Sequence, residues 1–326
     1  MVQRAGAGRR WLIWVAVVPI VAWAIVRGFG LESGFPLDAL IAYTPYVAVA
    51  ALLIAGVALA LRNWAAALIG MLALVWLAAG IAPRAIGHGE DAQPGDLEVE
   101  VLAANVHHGT ANPADLIDLV ERRGVDVMSV EELTPRFAHD LRRGGLGVVL
   151  PHSVLSMRSG ASGGGIYSRY PLARLPAPPT VGFRMPRARI ALPGSRSLRV
   201  VAVHPHPPEA NSTGSWSAGL HSLPSPDPDG EPWILPGDFN ATLDHAELRR
   251  ILDLGYRDAA EVTGKGLIPT WPEMGHNLPP VTIDHILAER RIRILSYEVD
   301  DIPGSDHRAV YARLAVPPSL SGHSAR

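Results

Sequence analysis

The stretch Trp233-Ile-Leu-Pro-Gly-Asp-Phe-Asn240 decides how this chain is read. Residues 233–235 suit a short buried strand, and Gly237-Asp238 suits a turn at its end. A carboxylate and, at Asn240, an amide therefore stand where an apolar strand stops. The same arrangement recurs. Residues 97–101 alternate like a strand with one face in water, and Asn105 follows them. Residues 125–130 read as a buried strand that runs into Glu131-Glu132. His204 and His206 end the strand at 198–204. Asp284-His285 interrupts an apolar strand at 282–287, and Ser305-Asp306-His307 opens the strand at 307–314. Further strands are expected at 165–168 and 187–192.

Helical signals are fewer. Asn112 suits an N-cap, Pro113 the first helical position, and Asp115 the helix dipole. Leu116, Ile117, Leu119 and Val120 make the apolar stripe, and Gly124 ends it. Thr134-Pro135 opens a second helix in the same style, and residues 245–252 carry a third pattern. Residues 207–232 are rich in Pro, Ser, Gly and Asp and read as a long loop. Strands outnumber helices and the order is mixed. This predicts two packed mixed sheets flanked by helices, a four-layer αββα sandwich over residues 97–316, rather than a doubly wound parallel sheet.

The N-terminal part is of another kind. Three apolar runs lie at 11–26, about 39–61 and about 64–82. A bilayer core takes about 20 apolar residues in a helix. The first run is slightly short, but Arg10 and Arg27 flank it and can snorkel. A signal peptide is the alternative for this run; no small-residue cleavage site follows, and two more apolar runs come directly after. Residues 1–82 are therefore expected to form a bundle of three transmembrane helices that anchors the chain. Residues 83–96 have linker composition, and residues 317–326 read as a disordered tail. Arg4, Arg9, Arg10 and Arg62 fall on one side of the spans, Arg27 and Arg84 on the other. The positive-inside rule then predicts a multi-pass protein of the cell membrane with its C-terminal domain outside the cytoplasm.

Taken singly, each polar cluster has an ordinary explanation. Asn and Asp cap turns, and a lone strand His is usually a packed residue. Asp284 is harder to dismiss, because a carboxylate within an apolar strand needs a partner. Together the clusters offer carboxylate and amide oxygens and imidazoles. Such a set suits Mg2+ or Mn2+ better than zinc. The chain has no cysteine, which excludes disulfides, zinc-thiolate sites and thiol nucleophiles.

The ordered set resembles the endonuclease/exonuclease/phosphatase superfamily over about residues 97–316, and the anchor resembles that of its bacterial membrane-bound members. Asn105, Asp126-Val-Met-Ser-Val-Glu-Glu132, Gly163-Gly-Gly-Ile-Tyr-Ser168, His204, Gly237-Asp-Phe-Asn240, Ile283-Asp-His-Ile286 and Ser305-Asp-His307 stand in that family's order. Glu131 departs from it, taking the place of a Gln. The resemblance implies a metal-dependent phosphoric ester hydrolase. Glu132, Asp306 and Asn105 would bind Mg2+ or Mn2+. Asp238 would orient or deprotonate water, and Asn240 would position it. His307 would contact the phosphate, held by Asp284, and His204 would donate to a phosphate oxygen or the leaving group. His107, His108 and His206 are read as no more than supporting residues.

The expected partners are the lipid bilayer and a phosphoester substrate, either lipid-linked or nucleic acid. Between residues 97 and 316 acidic residues outnumber basic ones, which gives no support to phosphate-backbone binding. With the anchor, this favours a lipid or lipid-linked phosphate. An extracellular DNA or RNA nuclease is the second expectation. A catalytically idle binding or sensor module is the third, and the complete set of polar stations argues against it.

Overall fold

The computed structural model describes residues 2–177, 182–273 and 277–318. Most of the expected tail, residues 319–326, lies outside the described residues. Strands in chain order are β1 Leu97–Asn105, β2 Val127–Glu131, β3 His152–Ser156, β4 Gly164–Ser168, β5 Leu172–Leu175, β6 Arg187–Leu192, β7 Arg196–Val201, β8 Trp233–Asp238, β9 Tyr256–Asp258, β10 Asp284–Glu289, β11 Arg293–Asp301 and β12 Arg308–Val316. They form two six-stranded mixed sheets, ordered β11-β12-β1-β2-β4-β3 and β5-β6-β7-β8-β10-β9.

Alternation places the core. Val99, Val101 and Ala103 of β1 face the second sheet and meet Ile190, Val200, Ile234 and Ile286. Leu102 and Ala104 face the other way, onto helices. The helices in chain order are α1 Val2–Phe29, α2 Leu37–Leu40, α3 Thr44–Ala60, α4 Trp64–Ile81, α5 Pro113–Arg123, α6 Pro135–Arg143, α7 Leu146–Val149, α8 Thr213–His221, α9 Ala246–Asp253 and α10 Ala259–Val262. α5 and α6 cover the first sheet through Leu116, Val120, Phe137 and Leu141. α8 and α9 cover the second through Trp216, Leu220, Leu248 and Ile251. The expected four layers are present.

Two features differ from the sequence expectation. α8 lies inside the stretch read as a loop. Its Gly and Ser residues dilute the apolar stripe, and it is held by burial of Trp216 and Leu220 rather than by propensity. Strands β3, β5, β9 and β11 were also not expected, and they are the four sheet edges.

Three helices are long and apolar enough to cross a membrane: Trp11–Phe29, Leu37–Ala60 and Trp64–Ala85. They pack through small residues, among them Ala48, Ala51 and Ala73, with Leu52, Leu68 and Val75 outward. Close backbone approach between small residues is how helices associate in lipid.

The segment after α4, read as a linker, is bound to the domain over much of its length. Arg84 is buried. Glu90 takes two hydrogen bonds from Arg257, both 2.9 Å, and one from the Ile294 N–H at 2.8 Å. Arg293 Nη1 reaches Asp96 at 2.7 Å. Bundle and domain also meet directly. Asp244, fully buried, receives Arg84 through both terminal nitrogens at 2.8 and 2.7 Å and Arg27 Nε at 3.0 Å. His245 Nε2 lies 2.8 Å from the Asp38 carbonyl, and Tyr46 donates to the Pro280 carbonyl at 2.7 Å.

Candidate active site

Topology gathers the polar clusters. β1 and β2 are parallel, as are β7 and β8, while β12 and β10 run antiparallel to β1 and β8. The C-terminal ends of the first four and the N-terminal ends of the last two therefore share one edge of the sandwich. Asp284 pairs directly with Asp238 across β10 and β8. Gly237, at φ 146°, lets β8 approach the segment after β7; a Cβ there would stand 2.1 Å from the Val203 carbonyl oxygen.

All eight expected residues converge. Asn105 Nδ2 donates to Asp238 Oδ2 at 3.1 Å and to Glu132 Oε1 at 3.4 Å. His204 Nε2 lies 3.7 Å from Asp238 Oδ2 and 3.9 Å from Glu132 Oε1. His307 Nε2 lies 3.8 Å from Asp238 Oδ2, and its Nδ1 donates to Asp284 Oδ2 at 3.0 Å. The Asn240 N–H donates to Asp238 Oδ1 at 2.8 Å. Glu132 and Asn240 hold left-handed backbones, φ 59° and 48°, uncommon for residues with a side chain. Glu132, His204, Asp238, Asn240, Asp306 and His307 line one cavity of about 640 Å³, and Asn105 and Asp284 are buried against them.

Other groups surround the acidic residues, some of them not anticipated. His107 Nδ1 meets Asp306 Oδ1 at 2.5 Å, and the His108 N–H donates to Glu132 Oε2 at 2.6 Å. Both are in direct contact with the acidic residues rather than behind them; φ values of 45° and 55° turn the backbone so that they reach. Trp271 Nε1 donates to Asp306 Oδ2 at 3.1 Å. Ser305 Oγ bonds the Asn105 carbonyl and accepts from the His307 N–H, tying β1 to β12. Phe183 packs on His204 and His206, with ring centroids 4.8 and 4.0 Å apart. Adjacency to Asn105 was the only sequence signal for the two histidines, and Trp271 had none. His285, by contrast, faces away and bonds Asp258 at 2.7 Å and the Ala241 carbonyl at 2.9 Å.

Charge in the site is uneven. Burial, then the Asp284 carboxylate, push Asp238 up to about 7. Burial opposes charge on His307, but Asp284 and Asp238 outweigh it and raise the imidazole to about 10. Burial and neighbouring imidazoles hold His204 down at about 3, so it is neutral. Burial works against the Asp306 carboxylate, but His307 and His107 hold it below the usual range. Glu131 is fully buried beside Ser129, and burial pushes it well above the carboxylate range. It stands in the Gln position as a neutral carboxyl.

The cavity collects the carboxylates of Glu132, Asp238 and Asp306, with Asp284 behind, and among the described residues neither Arg nor Lys lines it. Carboxylates outnumber the one charged imidazole, His307, so a bound cation would favour phosphate binding here. Glu132 and Asp306 offer carboxylate oxygens of the kind a divalent metal takes, while Asn105 turns its Nδ2 toward Glu132 and Asp238 and accepts the His107 N–H at Oδ1, 3.0 Å away. Acceptor atoms of Asp238, Asp284 and His307 also lie within 4.8 Å of one another. That trio is better read as a hydrogen-bonded Asp284–His307 pair with Asp238 3.8 Å from the imidazole, because a protonated imidazole has no lone pair for a metal.

Residues 102–307 match the Endonuclease/Exonuclease/phosphatase family. No curated protein matches the sequence. Solved structures share the fold at low identity. D. rerio TDP2, in a complex with single-strand DNA product, is 18% identical with TM-score 0.55 and covers 67% of this chain and 99% of its own. An endonuclease/exonuclease/phosphatase from Beutenbergia cavernae is 17% identical with TM-score 0.52, covering 68% and 72%. An AP endonuclease from Archaeoglobus fulgidus is 18% identical with TM-score 0.52, covering 66% and 98%. Enzymes of the matched family hydrolyse phosphoester bonds and use divalent metals. With its two-sheet fold and its converging strand-end residues, this chain belongs to the endonuclease/exonuclease/phosphatase family.

Proposed function

We propose that the protein is a membrane-anchored, divalent-metal-dependent phosphoester hydrolase. Its active site faces away from the cytoplasm and acts on a lipid or lipid-linked phosphate. The observation that carries this reading is the position of the cavity. It opens where the ends of the membrane-length helices meet the domain, and its wall includes Leu40 and Tyr43. The distribution of Arg4, Arg9, Arg10 and Arg62 against Arg27 and Arg84 supports the orientation.

Glu132 and Asp306 would hold Mg2+ or Mn2+. The bound ion would act as a Lewis acid on a phosphoryl oxygen and offset the charge that develops there. Asp238, near 7, accepts a proton from the attacking water as the new P–O bond forms. The Asn240 N–H and Asn105 Nδ2 each bond one Asp238 oxygen and fix the carboxylate. His307, kept charged by Asp284, donates from Nε2 to a phosphate oxygen. His204, neutral, donates a hydrogen bond from Nε2 to a phosphate oxygen or the leaving oxygen and keeps its proton, and the leaving oxygen takes its proton from water as the old P–O bond breaks.

A second reading, nuclease action, draws on the DNA-bound relative. Among the described residues no Arg or Lys lines the cavity, which speaks against it. The test is hydrolysis by the purified full chain with Mg2+ or Mn2+, offered phosphatidate, a polyprenyl phosphate, plasmid DNA and RNA. Asp238→Ala and His307→Ala serve as controls. The expected result is phosphate release from a lipid, lowered at least about 100-fold in both variants. Nicking of plasmid DNA with inert lipids would replace this reading with the nuclease; wild-type turnover by the variants would sink the assigned roles.

A further inference from the structure

The cavity has two unlike halves. Its floor is the cluster around Glu132, Asp238 and His307. The opposite wall is apolar and is built by both parts of the chain. Phe35 comes from the segment joining the first two membrane-length helices, and Leu40 and Tyr43 from the start of the second; Leu278, Val281 and Ile283 come from the segment before β10. The two contributions form one surface, because Ala42 and Tyr43 pack with Val281, Ile283 and Trp271 in a single apolar cluster. Tyr46 pins the seam by its bond to the Pro280 carbonyl.

Toward the mouth this wall is left uncovered. Phe35, Leu40 and Leu278 are 55%, 41% and 48% exposed. Leu40 lies within the second membrane-length helix, Leu37–Ala60, so the wall runs into surface that is itself apolar enough for lipid. The catalytic floor at one end and membrane-length helix at the other leave one kind of occupant that satisfies both. It is an amphiphile with a phosphate at one end and hydrocarbon at the other.

We propose that this jointly built wall is a subsite for the hydrocarbon chain of the substrate, so that the anchor forms part of the active site. This rests on the phosphoester-hydrolase reading above and adds its specificity element. The chain runs along Leu40 and Leu278 while the phosphate reaches His307. A cavity of about 640 Å³ is the size of an ordinary small-ligand site and holds a phosphate with the first segment of a chain. The Asp244 and Arg84 docking keeps the two halves of the wall in register.

The test uses the full chain in lipid nanodiscs with two monoesters, methyl and octyl phosphate, and follows the release of inorganic phosphate. Both present the same reacting bond. The readout is the ratio of kcat/KM for octyl over methyl. The expected wild-type ratio is at least about tenfold, since each buried CH2 adds affinity. Leu40→Gln and Leu278→Gln are each expected to lower that ratio at least about threefold, with melting temperatures unchanged. Partition of the octyl ester into the disc is common to all variants and cancels in the comparison. Hydrolysis of both esters with a ratio near one, or a ratio that neither variant changes, overturns the subsite and leaves the hydrolase reading standing. Inert esters with cleaved plasmid DNA overturn the lipid-phosphate reading, and the subsite falls with it.

Discussion

Asp244→Ala is expected to separate the catalytic domain from its anchor. Asp244 is fully buried and is the shared partner of Arg84 and Arg27, whose side chains are only 3% and 12% exposed. Removing the carboxylate leaves two guanidinium groups in a site nearly without water. Truncating one partner of a buried ion pair costs about 3–5 kcal/mol, because the remaining charge is uncompensated. At about 2–4 °C per kcal/mol for a domain of this size, the melting temperature should fall by about 6–20 °C. Thermal unfolding of the purified full chain in micelles measures this. Protease cleavage between residues 83 and 96, now released from the domain, should accelerate in parallel. Replacing all three groups, as Asp244→Leu with Arg27→Met and Arg84→Met, should recover most of the loss, since apolar side chains of similar size carry no such penalty. A single-variant shift below about 2 °C, with unchanged protease resistance, would refute the reasoning.

Three further outcomes are expected. His245 accepts from the Thr242 N–H at Nδ1 and donates from Nε2 to the Asp38 carbonyl, an arrangement that suits the neutral ring. Burial takes its pKa from 6.5 down to about 4, so the unfolded chain binds the extra proton first. Its contribution is full above about pH 6.5 and is lost as pH falls toward 4, by about 3 kcal/mol in all. Melting temperature against pH, compared with His245→Gln, checks this; equal pH dependence in both proteins would contradict it. Glu131→Gln should keep hydrolysis within about threefold and stability within about 1 kcal/mol, since one neutral buried group replaces another. A large loss in either assay would mean that Glu131 works as a charged carboxylate. Excess EDTA should abolish hydrolysis and Mg2+ or Mn2+ should restore it, and full activity in chelator would remove the metal from the mechanism.

The fold was legible where burial is two-sided. β1, β2, β8 and β10 lie inside their sheets, so their apolar runs are long enough to see. The four strands that escaped notice are all edges. β5 has no fully buried residue, and β3 has one. An edge strand is specified by its neighbour's free backbone more than by its own side chains. α8 escaped for a related reason, because tertiary burial of Trp216 holds a segment with little helical pattern of its own.

By itself the sequence determined the chemistry: which carboxylates, amides and imidazoles stand at strand ends, and that three segments can cross a bilayer. Those are local properties, readable from spacing and hydropathy. Tertiary structure alone decided how they combine. Antiparallel β10 and β12 bring Asp284 and His307 to the edge where parallel β1 and β2 deliver Asn105 and Glu132. His107, His108 and Trp271 join them through backbone turns that side-chain pattern does not encode. The segment that read as a linker is bound along its length, and Asp244 draws Arg27 and Arg84 into one buried contact across more than 150 residues of chain. Contacts of that range depend on the packing of the whole molecule, and they set the anchor against the mouth of the active site.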